Sequence, residues 1–138
     1  MIRGINQKDF EYFQHIITNT NMPDYELDIC ESIGSNPSNT IGYFKGENVI
    51  GMVETRETEL GLEISLLFVL PEHRNKQAGK LLIEYIKKHF VFNVVYAHPY
   101  TVEAEKFFVS NDFEVDLEFD INDENTVIFK RNVDVKAS

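Results

Sequence analysis

The stretch LFVLPEHRNKQAGKLLIEYI, residues 67–86, decides how this chain is read. It closes an almost unbroken apolar run, Ile64–Leu70, whose composition predicts a central strand buried on both faces. Pro71 stops that strand. From Ala78 the period changes: Ala78, Leu81, Leu82, Tyr85, Ile86 and His89 recur at helical spacing. A helix that opens straight after a buried strand turns its unpaired N–H groups toward the strand's end, where an anion can sit. The connecting residues are Arg74, Asn75, Lys76, Gln77, Ala78, Gly79 and Lys80. Gly79 permits close backbone approach, and Arg74, Lys76 and Lys80 add positive charge. A diphosphate suits such a turn; a solvated basic helix start without a ligand is the alternative. Neither G-x-x-x-x-G-K-[ST] nor G-x-G-x-x-G occurs, which disfavours nucleotide hydrolysis and dinucleotide binding.

Working toward the N-terminus, Gly61 begins the central strand, and Thr40–Lys45, Gly46–Asn48 and Val49–Glu57 read as a hairpin. Residues 34–39, GSNPSN, form a turn cluster, and Pro23 opens a second helix at about Tyr25–Ile33. Residues 1–5 read as a strand, Asn6 as a helix cap with Asp9 in the first turn, and Phe10, Phe13 and Ile17 as the buried stripe of a helix reaching Asn19. Toward the C-terminus, Val94–Ala97 is a short strand, Ala104, Phe107 and Phe108 mark a helix face, and residues 113–119 alternate apolar and acidic side chains. Residues 122–125 turn the chain and 126–130 return it. The order βααβββαβαββ gives an α/β fold with a mixed sheet and helices on both sides. One domain over residues 1–133 and a frayed tail at 134–138 are expected.

A net charge of −10 argues against nucleic acid. Yet residues 73–89 hold Arg74, Lys76, Lys80, Lys87 and Lys88 against the single acid Glu84, a basic island that suits an anionic ligand. No apolar run is long enough to span a membrane, the N-terminus lacks a signal-peptide pattern, and Cys30 is the only cysteine. A cytoplasmic protein without an intrachain disulfide is expected.

The element order and the turn together resemble the GNAT N-acetyltransferase superfamily over nearly the whole chain. The carrying residues are Val69-Leu70-Pro71-Glu72, like the family's V-x-P-E strand end, and Arg74-Asn75-Lys76-Gln77-Ala78-Gly79, like its [Q/R]-x-x-G-x-[G/A]. The resemblance implies a splayed central sheet and acetyl-CoA as co-substrate. It puts the diphosphate on amides of residues 75–80 and the pantetheine arm along the backbone of Leu67, Phe68 and Val69. Thr101, Phe107 and Phe108 border the cofactor by the same resemblance. Four departures stand out. Gln77 and Asp112 occupy positions where the family has glycine, Thr101 stands where it has asparagine, and Phe108 replaces the tyrosine that usually serves as acid.

Acetyl transfer to an amine needs a base, an oxyanion donor and an exit for the thiolate. Glu63 is the favoured base: it lies six residues before Val69 on the same strand, the offset of the catalytic glutamate in the histone-acetyltransferase branch. Glu54, Glu57 and Glu59 compete, or rim an amine site. The N–H of Val69 or Leu70 is the oxyanion donor by family analogy. Tyr96 and His98, two apart on one strand, are the substitutes for the missing tyrosine; lining a pocket is their plainer role. No Cys/His/carboxylate spacing suggests a metal site. The expected activity is transfer from acetyl-CoA to a primary amine of a cationic small molecule or a lysine side chain. The alternatives are a CoA-binding module without turnover and an interaction domain that keeps only the fold. A homodimer is possible by analogy alone.

Overall fold

The computed structural model describes residues 1–24, 39–74, 77–116 and 125–131. Its elements are β1 (Ile2–Gly4), α1 (Gln7–Thr18), β2 (Thr40–Lys45), β3 (Asn48–Thr58) and β4 (Gly61–Val69), followed by a 3₁₀ turn (Pro71–His73). Then come α2 (Ala78–His89), β5 (Val94–Ala97), α3 (Val102–Ser110), β6 (Glu114–Val115) and β7 (Val127–Lys130). The strands form one mixed sheet in the order β1-β2-β3-β4-β5-β7-β6. The β4–β5 pair is parallel, whereas β5–β7 and β6–β7 are antiparallel. This is the mixed α/β class read from the sequence. The helix expected over residues 25–33, Cys30, the far part of the strand at 113–119 and the tail at 134–138 lie outside the described residues.

The chain divides into two compact units, one of residues 1–54 and 66–86 and the other of residues 55–65 and 87–138. In the first, α1 begins where its cap dictates. The Asn6 side chain accepts from the Asp9 N–H at 2.9 Å, and the Asp9 carboxylate accepts from the Asn6 N–H at 3.0 Å. Two otherwise orphaned donors are thereby satisfied. The stripe Phe10, Phe13 and Ile17 then packs with Phe44, Val49 and Met52 and with Leu66, Phe68 and Leu70. Phe13 meets Phe68 edge to face at 5.8 Å.

Burial on both faces of β4, expected from ISLLFVL, does not hold. Ile64, Leu66 and Phe68 are buried, whereas Ser65 is exposed and Leu67 and Val69 are half-buried. Composition sets what a strand can bury. Neighbours decide what it does bury, and the α1 cluster claims only the even-numbered face.

In the second unit the core is aromatic. Phe113 is 2% exposed and meets Phe108 at 5.1 Å and Phe129 at 5.9 Å. Helix α3 ends in a six-to-one and five-to-two pair of bonds: Phe113 N–H donates to Phe108 O, and Asp112 N–H to Val109 O. That closure needs a left-handed residue just past the cap. Asp112 supplies it with φ of 72°. The Phe108–Phe113 contact is the apolar clasp that accompanies this motif.

Candidate active site

The end of β4 and the start of α2 lie in the first unit. Leu70 N–H donates to Ile50 O at 2.9 Å, so the even residues of β4 turn their backbone groups toward β3. Alternation then turns those of Ser65, Leu67 and Val69 to the opposite edge. On that alternation Phe68 has its N–H and C=O on the β3 side, and Leu67 and Val69 have theirs on the other. The Leu70 N–H, one of the two oxyanion donors considered, is bonded to Ile50 O. The Val69 carbonyl is itself engaged, accepting from Arg74 Nε at 2.8 Å, while the Arg74 guanidinium carbon lies 5.2 Å from the Phe68 ring centroid. Arg74 is thus folded back on the strand it follows.

Helix α2 starts at Ala78. The Leu81 N–H donates to Gln77 O at 2.9 Å, so Gln77 provides the helix's first carbonyl. The N–H groups of Ala78, Gly79 and Lys80 therefore have no acceptor within the helix. Gln77 has φ of 71°, the left-handed region that favours glycine. Glutamine thus holds a backbone conformation that glycine adopts more readily. Asn75 and Lys76 lie outside the described residues.

The proton-carrying candidates lie in the second unit. Parallel pairing of β4 with β5 sets Leu62 opposite Val95 and Glu63 opposite Tyr96. On the far side of β5, Ala97 faces Val127, so His98 comes opposite Thr126, and Nδ1 of His98 lies 3.1 Å from Oγ1 of Thr126. Across β7, Glu114 faces Ile128, and the Asp116 N–H donates to Thr126 O at 3.0 Å. Opposite residues share a sheet face, and residues two apart share it too. Glu63, Tyr96, His98, Thr126, Ile128, Lys130, Glu114 and Asp116 therefore occupy one face, which mixes three carboxylates with a lysine and the buried Ile128. Val95, Val127, Phe129 and Phe113 occupy the other, where the aromatic core is packed.

Each candidate has a partner. Glu63, 9% exposed, accepts at Oε1 from Arg56 Nε at 3.0 Å and also from Arg56 Nη2. The Tyr96 hydroxyl lies 2.7 Å from Thr58 Oγ1, which also receives the Leu60 N–H. Tyr96 therefore ties β5 to the β3–β4 turn. Its ring meets that of His98 edge-on at 5.6 Å. Thr101 is spent as the cap of α3, its Oγ1 accepting from the Ala104 N–H at 3.0 Å. Phe108, 5% exposed, packs between Phe107 and Phe113 as a core residue. Phe107 is half-buried. Arg56, Thr58 and Thr126 were not singled out in the sequence. The tight β3–β4 turn would have placed Arg56 beside Glu63, but nothing local marks Thr126.

A family model described as "Acetyltransferase (GNAT) domain" matches residues 4–124. The chain belongs to the GNAT acetyltransferase family. The enzyme class read from the sequence, acetyl-CoA-dependent acetyl transfer, is the one this family carries. GNAT structures agree in fold. PaiA N-acetyltransferase from Thermoplasma acidophilum, solved with coenzyme A, is 19% identical over 95% of this chain and 98% of its own, with a TM-score of 0.67. Bacillus subtilis YlbP, also with coenzyme A, is 19% identical over 95% and 96%, at 0.63. Arabidopsis thaliana Naa50, in complex with the bisubstrate analogue CoA-Ac-MVNAL, is 17% identical over 95% and 98%, at 0.60. No curated protein matches the chain by sequence. Among the described residues no helix is long and apolar enough to cross a membrane.

Proposed function

We propose that this GNAT protein transfers the acetyl group of acetyl-CoA directly to a primary amine on a cationic acceptor, either a small molecule or a lysine side chain. The observation that carries the reading is the start of α2. A left-handed Gln77 releases a helix whose first three N–H groups have no internal acceptor, two residues past the basic Arg74–Lys76 segment. Those donors and the helix dipole fit a diphosphate. Leu67 and Val69, half-buried and with backbone groups on the edge away from β3, fit an extended amide-bearing arm.

When bound, acetyl-CoA supplies the thioester, whose C–S bond breaks as the amine nitrogen forms the new C–N bond. The chain's residues do the rest. Val69 N–H is the donor for the developing oxyanion. Glu63, fixed through Oε1 by Arg56, is the base that takes the proton which must leave before nitrogen can attack; His98, with Tyr96 beside it, protonates the departing sulfur, and the second nitrogen proton, lost as the amide forms, passes to solvent. Glu63, Glu114 and Asp116 outnumber Arg56 and Lys130 on the face that carries His98, which favours a positively charged acceptor over an anionic one.

Phe108 favours a second reading, a CoA-binding module with little turnover, because a core phenylalanine stands where the family's tyrosine would deliver a proton. Two measurements separate the readings. Thermal denaturation with and without CoA tests the cofactor site; no shift at millimolar CoA would remove both. Thiol release from acetyl-CoA across amines of varied charge then tests turnover. Release with a polyamine or a lysine peptide supports transfer, whereas CoA binding with no release from any amine supports the module. Soluble, cytoplasmic action as a monomer or homodimer accords with this reading.

A further inference from the structure

We infer that Arg56 is a positioning residue that reserves one oxygen of Glu63, Oε2, for the acceptor's proton. The inference rests on Glu63 as the base proposed above, and it adds the atom that acts and the residue that sets it.

The ion pair departs from the usual arrangement. An arginine that meets a carboxylate frequently spreads its fork over both oxygens. Here Arg56 Nε, at 3.0 Å, and Arg56 Nη2 both donate to Oε1. Arginine can only donate and an ionised carboxylate can only accept, so the direction of both bonds is fixed. Two N–H donors use the two lone pairs of Oε1. Glu63 makes no further side-chain hydrogen bond among the described residues. Yet no buried side-chain oxygen among them lacks a partner. Oε2 therefore reaches solvent, although the residue as a whole is 9% exposed. An unpaired carboxylate oxygen in so buried a side chain costs free energy, and an incoming ammonium satisfies it.

Both residues are held by local structure. Thr58 Oγ1 donates to Gly61 O at 3.2 Å and accepts the Leu60 N–H at 3.2 Å. This closes the turn from β3 to β4 and brings Arg56 beside Glu63. On the other side Glu63 stands opposite Tyr96 of β5. The guanidinium thus occupies one oxygen of the carboxylate and leaves the other aimed away from it. The acceptor's N–H bond breaks, an O–H bond forms at Oε2, and the electron pair stays on nitrogen to attack the thioester. How Arg56 uses its remaining N–H groups does not alter this.

The test has two arms, each on the full-length protein. Infrared difference spectra with carbon-13 glutamate, native minus Glu63→Gln, read the pairing without any turnover. The gap between the antisymmetric and symmetric carboxylate stretches widens when one oxygen carries the partner. The native gap should exceed the gap obtained from the same subtraction in an Arg56→Ala background. An equal gap, or an acid C=O band at neutral pH, overturns the assignment. In the second arm, Arg56→Ala should lose about tenfold in kcat with KM for acetyl-CoA unchanged. Guanidinium chloride below denaturing concentration should restore most of that loss, because the Arg56 side chain is 63% exposed and its removal leaves a reachable site. Sodium chloride at equal ionic strength should not. Native kcat in Arg56→Ala overturns the inference, and so does a loss that guanidinium fails to restore in a variant folded by circular dichroism. Glu63→Gln separates this from the parent reading. If Glu63→Gln keeps native kcat, or no amine is turned over at all, the base role falls and this inference with it. If Glu63→Gln is impaired and Arg56→Ala is not, only the role of Arg56 falls.

Discussion

Gln77→Gly isolates the left-handed turn on which the cofactor site is built. At φ of 71° a side-chain-bearing residue pays roughly 1–2 kcal/mol that glycine does not. Glycine in turn loses about 0.4–1 kcal/mol more backbone entropy on folding. The side chain is exposed, so little packing is lost. The difference favours the glycine variant by about 0.5–1 kcal/mol. For a chain of this length that corresponds to about 2–3 °C in melting temperature. Urea or thermal denaturation without ligand measures it, and Gln77→Ala is the control, because alanine pays the same left-handed cost and should fall within about 0.5 kcal/mol of wild type. A glycine variant no more stable than the alanine variant would refute the strain argument. The same protein tests the site by calorimetric titration with CoA. Backbone N–H groups do the holding in this reading, so affinity should change less than about threefold. A gain of tenfold, about 1.4 kcal/mol, would instead mean that the Gln77 side chain obstructs the diphosphate.

Asp112→Gly should behave alike at the end of α3, with a gain of about 0.5 kcal/mol by chemical denaturation, since aspartate tolerates left-handed φ better than glutamine; a loss of stability would show that the aspartate side chain matters there. Gly61→Ala should cost about 3 kcal/mol or more: its φ is 142°, and an added Cβ would stand 2.4 Å from the Val94 carbonyl oxygen. A melting temperature within 2 °C of wild type, by the same conversion, would contradict that contact. Glu63→Gln should lower kcat at neutral pH by on the order of 10²-fold, with KM for acetyl-CoA little changed. Its stability should change by no more than about 1 kcal/mol, because the Arg56 side chain it leaves is 63% exposed and readily hydrated. Steady-state kinetics with native kcat would remove Glu63 as the base.

The two family glycines that this chain lacks show where local reading stops. Residue type at Gln77 argues against a left-handed backbone, and at Asp112 it only tolerates one, yet both adopt it. In each case the surrounding structure over-determines the turn. For Asp112 the Phe108–Phe113 clasp and two N–H bonds to the end of α3 fix it; for Gln77 the chain must leave β4 and enter α2. Glu63 shows the converse. Its place on the central strand is legible from spacing, but its ion pair with Arg56 depends on the turn that folds β3 back onto β4.

Spacing, caps and punctuation by themselves determined the helix from Gln7, its Asn6–Asp9 box, the hairpin at Gly46, the strand ending before Pro71 and the helix from Ala78. These features depend on neighbours within a few residues, so they survive without any tertiary context. Tertiary structure alone decided that one face of β4 stays half open, that Leu70 spends its N–H on Ile50, and that Thr126 comes to rest beside His98. Those outcomes depend on strand pairings between residues far apart in sequence, and a pairing register is set by the whole sheet rather than by any single segment.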